Sequence, residues 1–409
     1  MDFIHRKIIN DPVHGFITIN DPLIFELIAH PYYQRLRRIQ QMALAQVVYP
    51  GAVHTRLHHS LGAYHLMCIA ISELRDKGIE ITQEEAQAAK AAILLHDIGH
   101  GPFSHALESV LLKGVSHEEL SLLIMQKLNE GPEKNLKGKL NLAIQIFTNQ
   151  YPKKFLHQLI SGQLDVDRLD YLSRDSFFTG VSEGVVGYER ILKMITIHNN
   201  ELVVEEKGII SVEKFLLSRR LMYWQVYQHK SVVASENMLV KIIERAQYLY
   251  QQNNADVKVS QVVDYFLGEF SGKLNEINLN FYCQLDDTDI LFAIKKWQFH
   301  SDPILSLLCQ RLLNRNGYKC IMQETPIAQT QWDNAFTQTK KTFGLNDADT
   351  SYLCFKGMAS NTLYKEGEET IKILLKTGEV RSISKIQNAI INESLSAPVK
   401  KFYICLLKA

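Results

Sequence analysis

The residues best suited to chemistry in this chain are His59, His96, Asp97 and Asp167. Two imidazoles and two carboxylates make a mixed nitrogen–oxygen donor set. Such a set suits a borderline or hard divalent cation (Mn, Fe, Zn, Co or Ni) better than one selected by thiolate. Four protein donors leave one or two positions for water and a phosphate oxygen, and water held there loses its proton near neutral pH. His96 and Asp97 stand side by side at the end of an apolar helix read over 87–95. Gly99, Gly101 and Pro102 follow at once and break it. A His-Asp dipeptide alone occurs by chance in many chains. A histidine on the preceding helix, within Arg56-Leu57-His58-His59-Ser60, and the later Asp165-Val166-Asp167 make the pattern specific. Eight of the fifteen histidines fall between His54 and His117.

Groups suited to an anionic substrate surround this set. His100, His105 and His117 could give protons or hydrogen bonds to phosphate. His105 and Glu108 are three apart, so on a helix the carboxylate can orient the imidazole and raise its pKa. A protonated histidine is a reasonable general acid for an alkoxide leaving group. Arg56, Arg168 and Arg219 are candidates for clamping phosphate, since the guanidinium fork fits paired oxygens. Taken singly, each also fits a surface salt bridge.

These side chains need a helical scaffold, and the periodicity supplies one. Residues 6–19 read as a β-hairpin with its turn at Asn10-Asp11-Pro12. Asp21 and Pro22 open a helix to Ala29. Pro31 opens another, in which Leu36, Ile39 and Met42 form an apolar stripe and Arg35, Arg37 and Arg38 a basic one, either solvated or touching phosphate. A helix over 58–77 follows. Thr82 and Glu85 form a capping box for the helix that delivers His96 and Asp97, and Ser116 and Glu119 form another that puts His117 in a first turn. Residues 165–175 are charged every second or third position yet apolar at helical spacing. A hairpin over 195–212 turns at Asn199-Asn200, and one long helix runs over 212–252. After about residue 285 strand-like runs appear at 318–323, 352–356, 370–375 and 401–407, with helices at 302–314 and 384–392 and a polar loop over 334–350. The expectation is a mainly α chain with small β-hairpins over 1–285 and a smaller C-terminal α+β lobe over 286–409.

Composition narrows the function classes. Apolar residues make up 46% and charged residues 22% of 409, the profile of a soluble globular protein. A formal charge of +1 gives no bulk field for nucleic acid or a membrane surface. Six cysteines without a C-x-x-C pair read as reduced thiols. With no signal-like apolar segment and no run long enough to span a bilayer, the cytoplasm is expected.

Three segments together resemble a known family: Arg56-x-x-His59-Ser60-Leu61-Gly62, His96-Asp97-x-Gly99-His100-Gly101-Pro102-Phe103-Ser104-His105, and Asp165-Val166-Asp167-Arg168-x-Asp170-Tyr171. They resemble the HD-domain phosphohydrolases. Within these they are similar to the deoxynucleoside triphosphate triphosphohydrolases related to the vertebrate SAM-and-HD-domain enzyme, although the SAM domain itself has no counterpart here. The likeness extends to Asn10-Asp11-Pro12-x-His14-Gly15, Tyr33-Gln34-Arg35-Leu36-Arg37 and Tyr227-Gln228-His229-Lys230, and is thin over 235–370. It implies an HD-domain helical bundle over 1–285, with His59, His96, Asp97 and Asp167 as metal ligands. It implies His105 as catalytic acid with Glu108 in place of the usual Asp. Arg56, His100, His117, Arg168, Tyr171 and Arg219 would hold the triphosphate, and Gln41, Asp175 and Tyr227 the sugar. The implied reaction releases deoxynucleoside and inorganic triphosphate, with Mg²⁺ arriving on the substrate phosphates. A homodimer or homotetramer is implied as well, and a regulatory nucleotide near Lys7, Asn10, Gln34 and Arg37. Ala29 departs from an Asp found there in activated relatives, and Met42-Ala43-Leu44 replaces a Leu-Gly-rich turn beside the sugar. Two other readings keep the pocket: an HD phosphohydrolase acting on a nucleoside monophosphate, ribonucleotide or phosphodiester, and a nucleotide-sensing or nucleic-acid-binding protein without turnover.

Overall fold

The computed structural model describes residues 6–112, 114–273, 275–361, 370–386 and 399–408. Strands β1 (Lys7–Asp11) and β2 (Gly15–Ile19) pair antiparallel, with Lys7 opposite Ile19. The turn falls slightly later than expected, because the Asp11 carboxylate accepts the N–H groups of Val13 and His14 at 3.0 and 2.9 Å. Asp21 caps α1 (Pro22–Ala29). The helix begun by Pro31 is shorter than its pattern suggested: α2 (Pro31–Gln34) tightens into a 3-10 turn over Arg35–Arg38 and stops.

Arg35 explains the stop and corrects the reading of a basic stripe. It is 1% exposed, and its guanidinium donates to the carbonyls of Leu285, Ile98 and His100, each at 2.9 Å. It therefore neither faces solvent nor meets phosphate. It pins the loop that follows His96-Asp97.

The centre of the molecule is helical: α3 (Arg56–Asp76), α4 (Gln83–Leu95), α5 (His105–Leu111), α6 (His117–Glu130), α7 (Asn141–Phe147), α8 (Lys154–Gln158) and α9 (Val166–Thr179). The alanines of α4 (Ala86, Ala88, Ala89, Ala91, Ala92) are all buried, so its neighbours approach closely. Helix α3 packs on both α4 and α9. At the second contact a Cβ on Gly62 would come within 1.9 Å of an Asp170 carboxylate oxygen and 2.2 Å of an Arg174 nitrogen. Only glycine leaves room there.

After α10 (Tyr188–Met194), β3 (Ile195–His198) and β4 (Glu201–Glu205) form the expected hairpin, with Asn199 and Asn200 both at positive φ. The hairpin read to 212 ends at Glu205, because Glu206–Gly208 forms a 3-10 turn. The long helix expected to 252 is broken into α11 (Ile209–Met222) and α12 (Lys230–Gln251). Between them a wide π turn, Tyr223–Tyr227, closes with Gln228 N–H on the Tyr223 carbonyl at 2.7 Å. The His229 side chain then caps α12.

Helices α13 (Gln261–Asp264), α14 (Glu276–Tyr282), α15 (Asp287–Trp297) and α16 (Pro303–Leu313) lead to β5 (Lys319–Gln323). The stretch read as a polar loop is instead α17 (Gln329–Phe343) and α18 (Asp347–Leu353). Its few apolar side chains, Trp332, Phe336 and Phe343, sit at helical spacing, and α17 lays them on a sheet. That sheet has the order β5–β9–β6, where β6 is Cys354–Asn361 and β9 is Val399–Leu406. Strands β7 (Lys372–Leu374) and β8 (Val380–Ser382) join the other sheet, with β7 parallel to β4 and Ile373 opposite Val204. The helix expected over 384–392 lies, from 387 on, outside the described residues, and Ile383–Lys385 is a 3-10 turn. The protein is mainly α with small sheets, and no described helix is long and apolar enough to cross a membrane.

Candidate metal centre

Three helices bring four side chains to one point. His59 comes from the first turns of α3, His96 and Asp97 from the end of α4, and Asp167 from the first turn of α9. His59 Nε2 lies 3.0 Å from Asp167 Oδ1 and 3.7 Å from Asp97 Oδ2. His96 Nε2 lies 3.4 Å from Asp167 Oδ1 and 3.3 Å from Asp97 Oδ1. The opposite ring nitrogens are already committed: His59 Nδ1 is 2.7 Å from Asp170, and His96 Nδ1 is 2.6 Å from the Ile93 carbonyl. Since both partners only accept, each Nδ1 carries a proton. Each Nε2 is then aimed at carboxylates, is buried, and has no hydrogen-bond partner.

Nitrogen lone pairs facing carboxylates repel unless positive charge lies between them. Burial acts to lower the His59 pKa, but the neighbouring carboxylates of Asp167 and Asp170 override it and push it up to about 10. Burial likewise opposes ionisation of the aspartates. His96 and Arg56 nevertheless hold Asp97 well below the usual carboxylate range, and His59 and His96 do the same for Asp167. His59, His96 and Asp97 place donor atoms within 4.8 Å of one another, and Asp167 faces both imidazoles, so a divalent cation would satisfy these groups and the set fits a metal.

Behind it stands a buried network. The motif reading contained Asp170 and His14 but gave them no role. The Asp170 carboxylate meets His59 Nδ1, His14 Nε2 at 2.6 Å, and Arg174 at 2.9 and 3.0 Å; Arg174 reaches on to Asp11 at 2.7 Å. Its spacing, three residues after Asp167 and four before Arg174, was the available signal. The loop after Asp97 is fastened as tightly. The Tyr282 hydroxyl donates to the Gly99 carbonyl at 2.6 Å, Ser121 donates to the His96 carbonyl at 2.6 Å, and Asp287 accepts the Phe103 N–H at 2.8 Å. Phe103 and Ser104 are held at φ of +50° and +45°, strain that these anchors sustain.

Next to the donor set lies a row of histidines. His100 Nε2 is 3.4 Å from Asp97 Oδ1, and the His100 ring stacks on His117 at 3.9 Å with planes 16° apart. His100, His105, Glu108 and His117 each offer a ligand atom within 4.8 Å of the others, so this second cluster has donors for a cation as well as for protons and anions. Glu108 lies 3.4 Å from His105 Nδ1 and 3.2 Å from His117 Nδ1. Those two imidazoles hold its carboxyl well below the usual range against the effect of burial. The His105 side chain is 71% exposed and open to a ligand.

The remaining predicted residues divide. Arg56 is bound to Asp97 and to Ser104 Oγ at 2.8 Å, within the donor cluster. Arg168 is held by Asp165 and the Gly162 carbonyl. Tyr171 lies 6.3 Å from the His59 ring and 6.4 Å from the Tyr227 ring, and the Arg219 charge acts on both tyrosines. Asp175 is clasped by the Tyr227 hydroxyl at 2.6 Å and by His54 at 2.7 Å, a partner the sequence reading missed. Gln41 keeps a buried carbonyl oxygen without a partner.

Comparison with known proteins agrees with this geometry. Residues 56–175 match the HD domain, and 186–267 match an HD associated region. The crystal structure of a phosphohydrolase from Bacteroides thetaiotaomicron is similar over 98% of this chain and 100% of its own, with a TM-score of 0.92 and 46% identity. This chain belongs to the HD-domain phosphohydrolases. The HD match runs from Arg56 to Asp175 and so includes all four candidate donors. The uncharacterized protein YwfO of Bacillus subtilis is 34% identical over 401 residues, 96% of this chain and 89% of its own. The deoxynucleoside triphosphate triphosphohydrolase SAMHD1 of Danio rerio is 26% identical over 364 residues. That match takes in 78% of this chain and 56% of that relative.

Proposed function

We propose that this HD phosphohydrolase is a metal-dependent deoxynucleoside triphosphate triphosphohydrolase, cleaving at the α-phosphorus to give deoxynucleoside and inorganic triphosphate. The observation that carries the reading is the contact between the two clusters. Asp97 faces His59 and His96 on one side and His100 on the other, so a phosphoryl group at the donor set also meets the histidine row. Similarity to the SAMHD1 relatives supports the choice of substrate. A divalent ion held by His59, His96, Asp97 and Asp167 supplies Lewis acidity and an acidified water.

The chain's own groups do the rest. His100, His117, Arg56, Arg168, Tyr171 and Arg219 bind phosphate oxygens, with Mg²⁺ carried on the substrate. Exposed His105, oriented by Glu108, gives its proton to the departing 5′-oxygen. Gln41, Asp175 and Tyr227 hold the sugar, and the Tyr227 ring occupies the place a 2′-hydroxyl would need. Ala43 takes a φ of +44° and so keeps a left-handed turn beside that pocket without a glycine. A 340 Å³ cavity lined by Lys7, Asn10, Arg37 and His58 offers a place for a regulatory nucleotide. We assign the enzyme to the cytoplasm, as a homodimer or homotetramer.

Product analysis tests the reading. Metal-loaded protein incubated with each dNTP and NTP is expected to release inorganic triphosphate from the deoxy series. Orthophosphate or a nucleoside monophosphate would instead assign a different phosphohydrolase reaction, and binding without release would make the protein a sensor. His105→Ala is expected to lower turnover by roughly 10²–10⁴ while leaving KM nearly unchanged.

A further inference from the structure

On the face of the C-terminal sheet that packs on α12, two thiols oppose one another. Strands β5 and β9 run antiparallel with Cys320 directly opposite Cys405. Opposed residues of an antiparallel pair share a face, with Cα atoms about 4.5 or 5.5 Å apart according to the pair type. Both spacings fall within the range a disulfide spans. The third thiol of the sheet is placed differently. Phe355 is the residue opposite Cys405, so alternation along β6 turns Cys354 to the other face, where it bonds Thr339 of α17. Lys241 of α12 lies 5.5 Å over the Phe355 ring, which marks the Cys320–Cys405 face as the α12 side.

The two thiols are not equivalent. Cys405 is fully buried, whereas Cys320 is half-buried. They hydrogen-bond each other. That bond, helped by the nearby Lys230 ammonium and opposed by burial, holds the Cys320 thiol below its ordinary value; the same bond and burial push Cys405 up. Cys320 is thus both the sulfur that ionises and the one an oxidant can reach.

We propose that Cys320 and Cys405 form a peroxide-reactive dithiol that closes into a disulfide across β5 and β9. The oxidant is hydrogen peroxide or a small alkyl hydroperoxide. The Cys320 thiolate attacks a peroxide oxygen, the O–O bond breaks, and the other oxygen leaves and is protonated to water or alcohol. Cys320 is then a sulfenic acid. The Cys405 sulfur displaces hydroxide from it, the S–S bond forms, and the Cys405 proton joins the hydroxide as water. Two thiols lose two electrons in all, and one peroxide takes them up. Neither cysteine belongs to the metal centre, so this chemistry stands apart from the hydrolase reading.

The test uses the full chain. Protein treated with hydrogen peroxide is denatured, alkylated, digested without reductant and analysed by mass spectrometry. The expected result is a peptide pair joining Cys320 to Cys405, lost after dithiothreitol, in a protein lighter by two hydrogens. Cys354→Ala is expected to keep the link, and the half-buried Cys320→Ser to abolish it while leaving the fold intact. Full alkylation of Cys320 and Cys405 after peroxide overturns the proposal. So does sulfinic acid at Cys320 without a link, or a link from Cys320 to any other cysteine.

Discussion

His59 can present one nitrogen to the donor cluster because Asp170 holds the other. Asp170 is also shared by His14 and Arg174, and all of these groups are buried or nearly so. Its charge therefore serves two ends: it fixes the imidazole tautomer and it balances a guanidinium that has no access to water. Outer partners of this kind tune ligand basicity as well as direction. In Asp170→Asn the amide oxygen still accepts one hydrogen bond, but Arg174 loses a counter-charge and His59 loses its anionic partner. Metal affinity is expected to fall by about 10–100-fold, measured by competition with a chelator of known strength. Unchanged affinity would mean that packing alone orients His59.

Among the elements, the closeness of α3 and α9 sets the geometry. One helix carries His59 and the other Asp167, and their separation is fixed where Gly62 faces Asp170 and Arg174. Gly62→Ala would put a methyl group into that ion pair, and neither partner has space to retreat. Overpacking of this kind costs about 1–3 kcal/mol, and urea unfolding is expected to show the loss together with weakened metal binding. Gly317→Ala is the matched control, since its Cβ would meet nothing within 4 Å; it is expected to stay within about 0.5 kcal/mol of the parent. The π turn between α11 and α12 acts at the same scale. It inserts extra backbone where an uninterrupted helix would carry Tyr227 round to another face, and so places the hydroxyl on Asp175.

Across the whole molecule, the donor set joins helices that are far apart in sequence, and a cation there cross-links the folded state alone. Binding to the native state stabilises it by mass action, about 2.7 kcal/mol when free metal is 100 times its dissociation constant. Protein stripped by a strong chelator is therefore expected to melt at a lower temperature in calorimetry, and one added equivalent of the native metal to restore it. Equal melting of the two forms would show that a proton on His59 closes the cluster as well as a metal does. The anchors from beyond residue 285 belong to this scale too. Asp287 accepts the N–H groups of Gln40 and Phe103, and β7 extends the sheet begun by β3 and β4, so the later part of the chain braces the site built by the earlier part.

The sequence by itself determined the mainly helical class, most helix starts, and the four side chains that meet between α3, α4 and α9. Local rules govern all three: periodicity marks a buried face, a capping box marks a first turn, and the rarity of the His and Asp pattern marks the candidate donors. Only the tertiary structure decided that Arg35 serves carbonyls rather than solvent or phosphate, that Asp170 stands behind His59, and that α17 is a helix. It alone also showed that the helix before Lys230 is broken. Each of these depends on what lies opposite. Arg35 binds residues 63 to 250 positions away, and α17 is held by a sheet whose last strand follows it by more than fifty residues. Spacing along a chain reports which side chains share a face, but the partner that face meets is chosen by packing.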